Sequence, residues 1–158
     1  MTKAQVVAAF REKARLLYEG KAVPHRSCGM ALAETFGREP RPYHALRRGG
    51  VTGIGECGAV VAGGLVLGEL FGYPDSTAPT SVTLREAMIR YQALVARRLP
   101  KGPGGTIVCN DLVAPFRDFR SDERTLFCTV IASTVAEIVA EVALDLGARL
   151  EVTPIRDV

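Results

Sequence analysis

The chain has no CxxC pair, no HExxH, no CxxCH, no P-loop and no GxSxG elbow, and its only histidines are His25 and His44. At the level of local motif these absences remove zinc fingers, zincin-type hydrolysis, covalent haem attachment, NTPase chemistry and the α/β-hydrolase triad. No internal repeat or low-complexity tract is present, and nothing marks a second domain. The longest uncharged apolar run, Cys57 to Gly68, has twelve residues, whereas crossing a bilayer takes about twenty. Lys3, Arg11, Glu12, Lys13, Arg15 and Glu19 break up the N-terminal stretch, so neither a secretory signal nor membrane insertion is expected, and the cytoplasm is the expected location. Charge of one sign is scarce as well: 20 basic against 17 acidic side chains leave a net +3. The basic clusters at Arg38, Arg41, Arg47, Arg48 and at Arg97, Arg98, Lys101 lack interleaved aromatics apart from Tyr43, so no nucleic-acid partner is expected.

What is there is helical periodicity. Val6, Val7, Phe10, Ala14 and Leu17 form one apolar stripe over residues 3 to 19. Ser27 is placed to cap a short helix that carries Cys28, Ala31, Leu32 and Phe36 and ends at Gly37. A third helix is expected from near Glu56 to Phe71, and a fourth from about 83 to 99, stopped by Pro100 and the KGPGG run. A short element with Leu112 and Val113 precedes the longest helix, which starts at Ser121 or Asp122 and runs to about Leu146. Strand signals are brief, as in TIVC and LEVTPI. The expectation is an all-α fold with residues 1–158 as a single domain, a bundle or orthogonal array of about five to six helices.

The third helix contains a row of small residues. Gly64, Gly68 and Gly72 fall four apart, and Ala59 and Gly63 make a similar pair. Each interior glycine costs a helix about 1 kcal/mol relative to alanine, so the row predicts close approach by a neighbour, with a homodimer contact as one form of it.

The four cysteines stand singly, at Cys28, Cys57, Cys109 and Cys128. They can act together only if the fold gathers them; otherwise they are buried thiols that pack as small apolar side chains. In a reducing compartment four cysteines point to metal binding, redox chemistry or burial before a disulfide framework. Gly53, Gly55 and Gly58 satisfy GxGxxG, but no strand is predicted before them and the only acid at the required distance is Asp75, so no nucleotide is expected. The glycine run is better suited to delivering Cys57 to a helix N-terminus. There the helix dipole favours a thiolate, which makes Cys57 the expected reactive cysteine, with Cys28 helped in the same way after Ser27. Cys128 lies in line with Ala132, Val135, Val139 and Val142, where it is inert unless a metal or a cation accompanies it.

Taken in order, SCGMALAETFG, GIGECGAVVAGGLVLG, CNDLV and LFCTVIASTVAEIVAEVAL resemble the C-GCAxxG-C-C family, small proteins grouped as redox-active and often encoded near transporter genes. The resemblance spans residues 26 to 147 and carries the four signature cysteines onto Cys28, Cys57, Cys109 and Cys128. One glycine of the signature is replaced: Ala62 stands there, with Gly63 next. The resemblance implies a redox-active protein with these cysteines as cofactor and metal ligands. An iron–sulfur cluster or another metal ion would suit the all-thiolate set, and the partner would be a redox or transporter-associated protein. Two further readings stay open: a metal-free thiol/disulfide redox protein, and a non-catalytic helical accessory module of a transporter system.

Overall fold

A computed structural model describes residues 1–156. Six α-helices form: α1 (Lys3–Glu19), α2 (Cys28–Thr35), α3 (Gly58–Phe71), α4 (Val82–Arg98), α5 (Cys109–Val113) and α6 (Asp122–Asp145). The fold is all-α. Among the described residues, β pairing is limited to one antiparallel bridge, Glu56 with Val108, where the weak TIVC signal lies. The helix count comes to seven rather than five or six, because Arg41–Leu46 makes a 3-10 turn of its own. Pro40 and Pro42 explain it: a fixed φ and missing N–H groups start a tight turn but do not sustain an α-helix.

Side-chain caps set the helix starts. Thr2 and Gln5 exchange hydrogen bonds in a capping box ahead of α1, and Gly20, at φ 72°, ends that helix. Ser81 Oγ accepts from Leu84 N at 3.0 Å and donates to the Phe71 carbonyl, so one hydroxyl joins the end of α3 to the start of α4. Ser121 Oγ accepts from Arg124 N at 3.2 Å. Ser27 behaves differently: it precedes α2, but its hydroxyl makes no capping bond.

The core is organised around α6, which packs most extensively on α1 and also against α2, α3 and α4. Ile131, Val135, Ile138, Val139 and Val142 are buried along it. By length and composition α6 could cross a membrane, yet 61% of its apolar window is buried inside the fold. Glu137 and Glu141 on its edge pair with Arg11 and Arg98, which fastens α6 to α1 and α4.

The glycine row of α3 is not the close contact that its spacing predicts. A Cβ at Gly68 would meet nothing within 4 Å, one at Gly64 would touch only the Met88 methyl at 3.6 Å, and Gly72 lies beyond the helix. The tight position is Gly63, where a Cβ would stand 2.3 Å from Tyr91 Oη and 3.0 Å from Val135 Cγ1. Tyr91 is buried and donates to the Val60 carbonyl at 2.6 Å, so it cannot yield without leaving its buried hydroxyl unpaired. Gly63→Ala should therefore destabilise the fold by about 1–3 kcal/mol, and Gly68→Ala should stabilise it by about 0.5–1 kcal/mol. Urea unfolding of the two variants checks the pair; effects of the same sign would contradict this packing.

Candidate functional site: a four-cysteine cavity

All four cysteines line one cavity of about 150 Å³, although they come from four separate elements. Cys28 is the first residue of α2, Cys57 immediately precedes α3, Cys109 opens α5 and Cys128 lies in the second turn of α6. All four are free thiols.

A glycine-rich loop brings two of these elements together. Between Arg48 and Gly53 the backbone is left-handed at Arg48, Gly49, Gly50, Val51 and Gly53, with φ from 52° to 82°. At Gly49 and Gly53 space is decisive too, since a Cβ would fall 2.5 Å from Cys109 Cβ and 2.1 Å from Asn110 Oδ1. Arg48 and Val51 have no such glycine freedom, and holding a non-glycine residue there costs on the order of 1 kcal/mol or more. The coil is fastened to the segment before α5: Cys109 N donates to Gly55 O at 2.9 Å, Asn110 N to Gly53 O at 2.9 Å and Cys57 N to Ile107 O at 2.8 Å. These bonds bring the backbone at Cys57 to that at Cys109, 52 residues later in the sequence. No strand precedes the loop, so the context required for dinucleotide binding is missing among the described residues.

Cys57 is 9% exposed. Burial pushes its thiol up to about 12, assisted by the nearby Cys28, even though the backbone N–H groups of Val60 and Ala59 point at the sulfur. This corrects the expectation of a Cys57 thiolate. A helix N-terminus supplies at most about 2 kcal/mol, roughly 1.5 pH units, whereas full burial moves a group by up to about 3–5. Cys28 is raised for the same first reason, burial, against donation from the N–H groups of Gly29 and Arg48.

Cys109 and Cys128 are half-buried and have cationic neighbours. Arg48 Nη1 donates to Cys109 Sγ at 3.1 Å and to Asn110 Oδ1 at 2.9 Å. Arg124, one helical turn before Cys128, is buried; it donates to Tyr18 Oη at 2.7 Å and to the Phe119 carbonyl. Burial opposes its charge, but Tyr18 and Cys128 outweigh that and hold it above the usual guanidinium range. Both guanidinium groups lie over the Phe119 ring, at 4.5 Å for Arg48 and 3.9 Å for Arg124. Cys128 thus has the cationic companion that its apolar stripe alone would deny it. The signal was an arginine four residues upstream on one helix face, which stripe reading passes over. Tyr18, at the end of α1, has no comparable sequence signal.

Arg47 and His25 also line the cavity, and among the described residues no Asp or Glu does; His25 Nδ1 is engaged by the Tyr18 carbonyl. Ser27 Oγ is buried there without a partner. His44 is exposed on the 3-10 turn, Arg26 pairs with Glu34, and Glu56 is exposed, so none of them acts on the sulfurs.

Among the described residues, no three His, Cys, Asp or Glu side chains stand where they could hold a metal ion. For one tetrahedral ion, bonds of about 2.3 Å place sulfurs about 3.8 Å apart. A multi-iron cluster, with its ligands on different irons, holds them around a volume instead. The four cysteines line a cavity rather than meet at a point. No protein-family model matches the chain, and no curated protein or solved structure matches it either.

Proposed function

We propose that Cys28, Cys57, Cys109 and Cys128 together hold an iron–sulfur cluster and that the protein passes electrons to a redox partner. The observation that carries this reading is that all four cysteines line one cavity whose charged side chains, among the described residues, are only cationic. Such a cluster exchanges single electrons, and with four thiolate ligands it is an anion. Arg48 and Arg124 would offset that charge without competing for iron. The N–H groups aimed at the Cys28 and Cys57 sulfurs would lower the charge on the ligands, which makes reduction easier. Because burial holds the Cys57 thiol near 12, ligation must displace its proton, and metal uptake should weaken as pH falls. The resemblance to the C-GCAxxG-C-C family, on the same four cysteines, points in the same direction.

The test is iron and acid-labile sulfide content of protein purified or reconstituted without oxygen, alongside each single Cys→Ser variant. Stoichiometric iron and sulfide in the parent, with loss of most of both in every variant, is the expected result. Protein that takes up neither on reconstitution overturns the proposal. A reversible disulfide in that metal-free protein would support thiol redox chemistry instead, and four inert thiols a helical accessory module.

A further inference from the structure

Arg124 is a buried guanidinium that has no carboxylate partner among the described residues: it meets the Tyr18 hydroxyl, the Cys128 thiol, the Phe119 carbonyl and the Phe119 ring. By contrast, Arg11, Arg15, Arg26, Arg38, Arg90 and Arg98 each have a carboxylate within 4 Å. An unpaired buried charge is strongly destabilising, so such groups are generally matched by a counter-ion. Arg48 is only half-buried, but it too lacks a carboxylate among the described residues, with a thiol, an amide and the same ring for partners. Arg47 joins them on the cavity wall, and no carboxylate of the described residues does. The Ser27 hydroxyl adds a buried donor with nothing to bond. The cavity, about 150 Å³, is several times the about 30 Å³ that one water occupies, which leaves room for a tetrahedral ion. Exposed His25, Arg47 and Phe119 form part of its wall and give access from solvent.

We infer that, in the metal-free protein, this cavity binds a small inorganic oxyanion of the sulfate or phosphate class, held by Arg48 and Arg124 beside Cys109. Guanidinium forks match the oxygen spacing of such ions, and a half-enclosed site strengthens each contact over its worth in water. The inference rests on the arginines and not on metal loading, so it stands or falls separately from the cluster. A bound oxyanion would cover the Cys109 sulfur, which links occupancy to thiol reactivity.

The probes are inorganic sulfate and phosphate, titrated calorimetrically into reduced, metal-free protein at constant ionic strength set with chloride. Saturable binding with Kd at or below about 1 mM is expected, and Arg48→Gln should weaken it about tenfold or more. Arg98→Gln, which alters a surface ion pair, should bind like the parent. Since Arg124→Gln risks the fold, Arg124→Lys is the second variant and should weaken binding while remaining folded by circular dichroism. The four-serine variant should still bind the ion, and saturating sulfate should slow alkylation of Cys109 in the parent. No saturation up to about 50 mM, or equal losses in Arg48→Gln and Arg98→Gln, overturns the inference.

Discussion

In reduced, metal-free protein near neutral pH, iodoacetamide should alkylate Cys109 at least about a hundredfold faster than Cys57. Burial places the Cys57 thiol near 12, about three units above an ordinary thiol, so its thiolate fraction is about a thousandfold smaller. The more basic thiolate is the better nucleophile, which returns about twentyfold and leaves Cys57 roughly fiftyfold slower than an ordinary thiol from ionisation alone. Occlusion widens the gap, because Cys57 is 9% exposed whereas Cys109 is half-buried at the cavity wall with a guanidinium N–H on its sulfur. Mass-spectrometric alkylation rates for each cysteine are the measurement, and in urea the spread should collapse. Equal rates for Cys57 and Cys109 in the native protein would return the argument to the helix dipole.

The same shift gives stability a pH dependence of definite sign. With the folded-state value of Cys57 raised from an ordinary 9.0 to about 12, the unfolded chain releases this proton first, from about pH 9. Between those limits the folded state binds more protons, so this thiol lowers stability by about 1.4 kcal/mol per pH unit as pH rises. Below that window it has no effect. The urea midpoint of Cys57→Ala should fall less steeply between pH 9 and pH 11 than that of the parent.

Much of the helical frame was legible because caps and breakers act over a few residues. Ser81 and Ser121 make the hydrogen bonds that their positions suggest, and Pro100 follows the end of α4. The same local logic misplaced Ser27, whose hydroxyl is buried without a partner instead of bonding the helix it precedes. It also misread the glycine row, because spacing shows which residues share a face but not whether a neighbour covers it; Tyr91 and Val135 come to Gly63 and nothing comes to Gly68. The cysteines are the clearest case. Their separation in sequence showed only that the fold must gather them, and the gathering depends on backbone bonds between the glycine loop and residues 107–110. Burial of Cys57 is likewise a product of tertiary packing, which no count of residues from a helix end could show.

Gly58→Ala should be strongly disruptive for a conservative substitution. Gly58 follows Cys57 in the GECGA run and opens α3, where the backbone does not require glycine; the requirement is space. A Cβ there would lie 2.1 Å from the Leu46 carbonyl oxygen and 2.8 Å from Cys28 Sγ. A rotamer change could move the sulfur, but the carbonyl belongs to the backbone at the end of the 3-10 turn. Relief therefore requires α3 and that turn to separate, which opens the side of the cavity formed by Cys28 and Cys57. Overpacking of this kind costs about 3 kcal/mol, and for a chain of this length that lowers Tm by about 6–12 °C. The alkylation rate of Cys28 should rise in the same variant, since its burial depends on that contact, while Gly68→Ala serves as the neutral-space control on the same helix. A Gly58→Ala protein that melts within about 2 °C of the parent, with Cys28 as slow as before, would mean that the turn and α3 do not approach this closely.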